Sequence, residues 1–246
     1  LVDDFERGED VYREMASKIY NKAPEDISKQ ERFVGKTTIL GCGYGVGWSK
    51  LQATLKTGQI PVRVNDDEAK SIIRIYRETY KRIPALWKQA DKALEAITQE
   101  MTAPFGRNDV LLVDGANGIR LPNGLYLRYP NLRWIENEET GDAGYVYDGK
   151  KGKSVFPKRV YGGAAVENVC QALARIIIGE QMLHISKKYQ VAMTVHDSVV
   201  AVVPEAGAER ARETIELFMR LRPKWAMALP LNCESKIGHN YSCNNT

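Results

Sequence analysis

The sequence predicts an α+β fold: a helical first part followed by an antiparallel sheet backed by helices. Three observations carry this. Apolar side chains recur at helical spacing through residues 8–98. From Val110 the pattern changes to alternation, and the Asn123-Gly124 dipeptide sits between two alternating runs, the strongest short-range signal for a β-hairpin. Further on, two β-branched apolar runs flank the polar tripeptide His196-Asp197-Ser198 within residues 190–204. β-Branched residues suit a pleated, half-buried surface. With Pro204 closing the second run, the stretch reads as a tight hairpin that lifts His196 and Asp197 to the rim of a sheet.

Each element has a local cause. Over 8–20, Val11, Met15 and Ile19 recur four apart with Ala16 beside them, and Glu9 and Asp10 stand at the positive end of the helix dipole. Residues 21–30 are a connection containing Pro24. Ser28 followed by Glu31 forms a capping box for the next helix. That helix is expected to end near Tyr44, because Gly41, Gly43, Gly45 and Gly47 weaken it. Helical pattern continues over 48–56 and breaks at 57–61. Asn65 with Glu68 makes a second capping signal, and Ala69, Ile72, Ile73, Tyr76 and Tyr80 then form one stripe. Pro84 opens a further helix carrying Leu86, Trp87, Ala90, Leu94 and Ile97, a core stripe rather than a cofactor box.

In the second half, the runs 118–121 and 125–129 flank the Asn-Gly turn. The stretch 136–153 is polar and glycine-rich and reads as a surface loop, leading into a basic cluster of Lys150, Lys151, Lys153, Lys158 and Arg159. A long apolar helix is expected over 166–187, and a last helix over 205–220 with Ala208, Ala211, Ile215 and Phe218 facing a sheet. Leu231, Ile237 and Tyr241 suggest an edge strand in the tail.

Composition sets outer bounds. A chain of 246 residues holds one large domain or two modest ones and can bury a real core. Its net charge of +4 is compatible with nucleic acid without requiring it. No apolar run approaches membrane-spanning length, and no signal-peptide pattern is present. Cys42, Cys170, Cys233 and Cys243 form no CxxC pair, and Cys233, His239 and Cys243 fit no standard zinc spacing. They read as free thiols of a reducing cytoplasm. The opening Leu1-Val2-Asp3-Asp4-Phe5 begins mid-pattern, as in a fragment of something longer.

Two stretches carry chemistry. Arg32, Lys36, Leu40 and Tyr44 lie four apart, which places them on one face of a helix. Two cations there suit a polyphosphate, and the Leu and Tyr suit a base or sugar. The alternative is a solvated basic helix with a buried Tyr, a common pattern, but its combination with the hairpin is much less common. In the hairpin, Asp197 is either an ordinary turn residue or a carboxylate holding something positive.

Together these stretches resemble the C-terminal part of a family A DNA polymerase, most like the bacteriophage-encoded forms. The ladder is similar to motif B of the fingers helix, Arg-x3-Lys-x7-Tyr-Gly. The hairpin is similar to motif C, usually His-Asp-Glu and here His196-Asp197-Ser198. A third stretch, 161–175, resembles the phage-type helix that runs beneath the primer–template. The resemblance covers essentially the whole chain, with the motifs in family order.

It implies a partial right-hand architecture: helical fingers over 1–110, with the nucleotide-binding helix at about 28–47, and a C-terminal palm over 111–246. Arg32 and Lys36 would grip a deoxynucleoside triphosphate, and Lys36 would protonate the leaving pyrophosphate. Tyr44 would line the nascent base pair or guard the template position, and Leu40 stands where an aromatic residue usually packs against the incoming sugar. Tyr12 stands where many members carry a His near the triphosphate; a packed amphipathic Tyr reads as well. His196 would place the primer terminus, and Gln171, with Glu167 one turn earlier, would touch the minor-groove side of the primer–template. The basic cluster would contact DNA phosphates. Asp197 would bind Mg2+ in a two-metal site whose second Asp is expected upstream of Leu1, in a missing palm and thumb region of the same polymerase. Asp3 and Asp4 lack the motif A setting and are not nominated. Leu40 replaces an aromatic residue and Ser198 a Glu, which puts sugar discrimination and an auxiliary metal ligand in doubt. Template-directed DNA synthesis in the cytoplasm of a bacterial host is the implied function. A catalytically incomplete nucleotide- or DNA-binding fragment, or a split-polymerase subunit, is the alternative.

Overall fold

Caps and buried stripes set the helices of the first part. The structure is a computed structural model and describes residues 1–107, 109–137 and 141–241. After the short α1 (Val2–Glu6), α2 (Val11–Tyr20) starts where the Asp10 carboxylate accepts from the backbone N–H groups of Tyr12 and Arg13. α3 (Lys29–Cys42) opens on the complete Ser28–Glu31 capping box. α4 is Trp48–Thr57, and α5 (Asp66–Thr79) opens on the Asn65–Glu68 box. α6 is Arg82–Thr98, with Pro84 in its first turn. Met15, Val34, Cys42, Leu51, Leu55, Ile72 and Tyr76 share one buried core. Burying one such side chain contributes about 1.5–3 kcal/mol, against about 1 kcal/mol for a cap. Packing therefore fixes the helices, and the caps fix where they begin.

α2 and α3 lie unusually close. A Cβ built on Gly35 would stand 3.0 Å from the Ala16 nitrogen and 3.1 Å from its Cβ, and would collide with the Tyr12 carbonyl oxygen. Only glycine permits this approach.

Among the described residues the strands are all antiparallel and fall into three small sheets. β1 (Leu112–Asp114), β2 (Gly118–Arg120) and β3 (Tyr126–Leu127) form the first, and its second turn uses Gly124 at φ +81°. β4 (Arg133–Asn137), β5 (Asp142–Lys151) and β6 (Ser154–Val160) form the second. This corrects the reading of 136–153 as a loop; residues 138–140 lie outside the described residues. The ribbon turns at Gly152, φ +60°, and pairs from Tyr145↔Val160 to Lys151↔Ser154. It is packed at Val146 and Val160 near its base and at Gly149 opposite Phe156. Ser154 to Arg159 are exposed throughout, so neither face imposes an apolar alternation on the sequence.

The chain divides into two units, Leu1–Val169 and Cys170–Thr246, and the boundary falls within α7 (Gly162–Ser186). In the first unit, the backbone N–H of Gly162 donates to Asp91 Oδ1 at 2.5 Å, and the Tyr161 hydroxyl donates to the Tyr44 carbonyl at 3.2 Å. In the second, β7 (Gln190–Val195) pairs with β8 (Ser198–Val202), with an irregularity between Val191 and Met193. α8 (Ala208–Met219) follows a single 3-10 turn. Its Phe218 ring stacks on His184 of α7, and Gln181 Nε2 donates to the Met219 carbonyl at 2.6 Å.

The tail adds no edge strand among the described residues. Side chains tie it to α8: Ser235 Oγ donates to Glu216 Oε1, and Asn232 Oδ1 accepts from Arg220 Nε at 2.9 Å. Cys243 lies outside the described residues. Among those described, no helix is long and apolar enough to cross a membrane.

Candidate functional site

The Arg32 ladder faces solvent, because the opposite face of α3, with Val34, Thr38 and Cys42, is in the core. Lys36 and Leu40 are exposed, Leu40 by 53%, and Arg32 is half-exposed. Tyr44 lies just past the last helical residue. There the helix closes on Tyr44 N–H to Gly41 carbonyl at 3.3 Å, and Gly45 takes φ +80°. Trp87 Nε1 donates to the Gly43 carbonyl at 2.9 Å, pinning this end.

The close approach at Gly35 brings α2 against the cations. The Arg32 guanidinium lies 5.3 Å from the centre of the Tyr12 ring, and Lys36 Nζ 5.9 Å from it. Asp10 completes the group. Its Oδ1 caps α2, while its Oδ2 accepts from Arg32 Nε at 2.6 Å. Burial opposes ionisation of this carboxyl, but the Arg32 guanidinium and the Arg13 and Tyr12 backbone N–H groups outweigh it, so the carboxyl is held below its ordinary value. A half-exposed pair of this kind contributes at most about 1 kcal/mol to stability. Its larger effect is orientation: with Nε engaged, the two Nη groups of Arg32 remain without partners among the described residues. Lys36 likewise has no carboxylate partner among them. A small basic, aromatic-backed surface results, suited to phosphate oxygens. Sequence reasoning read Asp10 only as a helix-dipole residue; 22 positions separate it from Arg32, and only the α2–α3 contact joins them.

In the second unit, His196 and Asp197 form the two-residue turn between Val195 and Ser198. His196 adopts φ +52°, where a non-glycine residue costs roughly 1–2 kcal/mol. Ser198 Oγ donates to the Val195 carbonyl at 2.8 Å and closes the turn. Both tip residues are exposed, and the Asp197 carboxylate has no partner among the described residues. Gln171 is exposed on α7, and Glu167 lies half-buried on the same helix.

An exposed carboxylate is a fitting magnesium ligand. Among the described residues, no group of three or more metal-ligating side chains gathers.

Comparison with known proteins agrees on one family. The model of DNA polymerase family A matches residues 1–243. A DNA polymerase of Bacillus phage SP02 is 25% identical over 237 residues, 94% of this chain and 36% of that protein. DNA polymerase I of Helicobacter pylori strain J99 is 32% identical over 130 residues, 52% of this chain and 13% of that protein. Among solved structures, the POL domain of Pol1 from M. smegmatis, in complex with DNA primer-template and dNTP, aligns with a TM-score of 0.56 at 14% identity. The alignment covers 94% of this chain and 34% of that one, and it shows the fold. This chain therefore spans about a third of the length of the phage relative.

Proposed function

Because the chain belongs to DNA polymerase family A, we propose that it works in template-directed DNA synthesis, with residues 1–110 as fingers and 111–246 as part of the palm. The observation that carries this reading is the exposed Arg32–Lys36–Leu40 face of α3, backed by the Tyr12 ring, in a chain of that family. Arg32 and Lys36 hold the phosphates of a deoxynucleoside triphosphate, Tyr12 donates to a phosphate oxygen, and Leu40 and Tyr44 border the base pair being formed.

The reaction is phosphoryl transfer, in which positioning and charge neutralisation do most of the catalysis. The primer 3′ hydroxyl gives up its proton to water as its oxygen bonds to the α-phosphorus, the bond to pyrophosphate breaks, and Lys36 gives a proton to the departing pyrophosphate and is reprotonated from solvent. His196 orients the primer end. Asp197 binds Mg2+, together with a second carboxylate contributed from outside this sequence; when bound, the metal neutralises charge on the reacting oxygens. Gln171 and Glu167 contact the minor-groove side of the primer–template, and the lysines of the β5–β6 ribbon contact its phosphates. The cytoplasm of a bacterial host is the proposed compartment.

The test has two arms. In titrations with a deoxynucleoside triphosphate, Arg32→Ala and Lys36→Ala should each weaken binding by about tenfold or more, the worth of a charge-assisted hydrogen bond. In primer extension with magnesium, the chain joined to an upstream family A palm segment should extend the primer, and Asp197→Asn should stop it. Unchanged affinity in both ladder variants would refute the nucleotide assignment. Binding that follows the ladder, without extension in the joined chain, would establish the non-catalytic alternative.

A further inference from the structure

Three segments of the first unit meet at the end of α3, and glycine lets them meet. Gly162 and Gly163 are buried at the start of α7. A Cβ built on Gly163 would collide with the Tyr44 carbonyl oxygen and stand 2.8 Å from the Tyr161 ring. One built on Gly162 would collide with the Trp87 carbonyl oxygen and stand 2.8 Å from the Asp91 carboxylate. Gly45, at φ +80°, lies against the Tyr161 ring, 3.4 Å from it at the built Cβ. The turn after α3 and the middle of α6 thus both reach the main chain of the first α7 residues.

Two side chains then take successive carbonyls of that turn. Trp87 Nε1 donates to the Gly43 carbonyl at 2.9 Å, and the Tyr161 hydroxyl donates to the Tyr44 carbonyl at 3.2 Å. Both carbonyls lie past Cys42, the last helical residue, where a helix leaves its C=O groups without partners of its own. Each donor is anchored in turn. The Arg77 guanidinium lies 5.8 Å from the centre of the Trp87 ring, and Asp91, one turn further along α6, accepts from the Gly162 N–H at 2.5 Å. The donors are distant in sequence, 44 positions from Gly43 and 117 from Tyr44. Ending a helix does not need them: a left-handed glycine suffices, and Gly45 supplies one. What they add is a fixed main chain at Tyr44.

We propose that Tyr161 and Trp87 are positioning residues for Tyr44: they clasp the main chain from which its ring borders the base pair being formed, and so set the preference for the triphosphate that matches the template. The proposal rests on the assignment of the α3 face to nucleotide and adds specificity to it. Specificity is a difference between two affinities. The ladder cations hold phosphates that every triphosphate carries, so they contribute equally to both. A ring at the base pair contributes unequally, provided that its backbone does not shift to suit the wrong pair. Loosening the clasp therefore reduces selection and leaves the phosphate grip intact.

Two readouts test it in Tyr161→Phe, which keeps the ring, and in Trp87→Phe. Amide hydrogen exchange over residues 41–47 of the full chain should speed up about three- to tenfold in each, the worth of one hydrogen bond, while exchange in α5 stays that of the parent. Triphosphate titrations are then made with primer–template present and the chain joined to an upstream family A palm segment. The parent should bind the templated triphosphate more tightly than a non-templated one, and each variant should narrow that preference about three- to tenfold. Affinity without template, which the ladder governs, should not change. The proposal is overturned by exchange unchanged in both variants, by a preference unchanged in both, or by a fall in template-free affinity as large as the fall with template. It is also overturned if the parent loses triphosphate affinity in the ladder variants yet shows no preference for the templated triphosphate; that result leaves the nucleotide assignment standing, so the two fail separately.

Discussion

Gly35→Ala is the substitution on which the site's construction can be tried most directly. The added methyl would meet the Tyr12 carbonyl, with Ala16 nitrogen at 3.0 Å and Ala16 Cβ at 3.1 Å. These are main-chain and short side-chain atoms of α2, which is anchored by fully buried Met15 and Ala16 and cannot yield without opening the core. Overpacking of this kind costs about 1–3 kcal/mol. Alanine returns up to about 1 kcal/mol through its helix preference. The net effect expected is a loss of about 1–2 kcal/mol. Urea unfolding followed by tryptophan fluorescence should show it as a midpoint lowered by roughly half a molar or more, with the slope unchanged. Displacing α2 also carries Tyr12 and Asp10 off Arg32, so triphosphate affinity should fall in the same variant. Gly179→Ala is the control: it too is helical, but nothing lies within 4 Å of its added Cβ. There the propensity acts alone, and a gain of up to about 1 kcal/mol is expected. If Gly35→Ala were as stable as the parent, the α2–α3 contact would not be tight and the account of the site would fail.

Two further outcomes follow from ionisable groups. Asp10→Asn keeps the cap on α2 but loses the charge opposite Arg32, whereas Asp10→Ala loses both and should cost about 1 kcal/mol more. The Asp10 carboxyl lies below its ordinary value of 3.8 in the folded chain, so its contribution to stability is complete above that value and is lost as pH falls through the lowered one. Melting temperatures of parent and Asp10→Asn should accordingly converge as the solution is acidified through that window; parallel profiles would refute the pairing. The Cys42 thiol is buried, and burial pushes it up to about 11, while Cys170 is exposed. An aromatic disulfide reagent at mildly alkaline pH should modify Cys170 first and Cys42 only on unfolding, and equal rates would contradict the packing of α3.

What could be read beforehand depended on how local its cause was. The two capping boxes, the stop of α3 among its glycines and the Asn123-Gly124 turn are set by residues a few positions apart, and each stands where the sequence places it. The hairpin at His196 was legible for the same reason, since two β-branched runs enclose it. The β4–β6 sheet was not legible: a ribbon exposed on both faces leaves no alternation, and its polar glycine-rich composition looks like a loop. The tail was misread because the side chains of Asn232 and Ser235 hold it against α8, an attachment that spacing of apolar residues does not reveal. The candidate site divides the same way. The ladder is a helical spacing and shows in the sequence, whereas the Asp10–Arg32 bond depends on two helices meeting at a glycine.

The exposed ribbon has a practical consequence. Beyond the buried Gly149, its outer part rests on cross-strand pairing and its turn, while Val146, Val160 and the Tyr129–Tyr147 and Trp134–Tyr145 ring pairs pack nearer the base. Length and composition beyond that base are therefore free of the constraints that bind a core. Gly152, at the tip with no atom within 4 Å of an added Cβ, is where this scaffold should accept a grafted peptide, a reporter or a chemical handle while the helical unit keeps its packing.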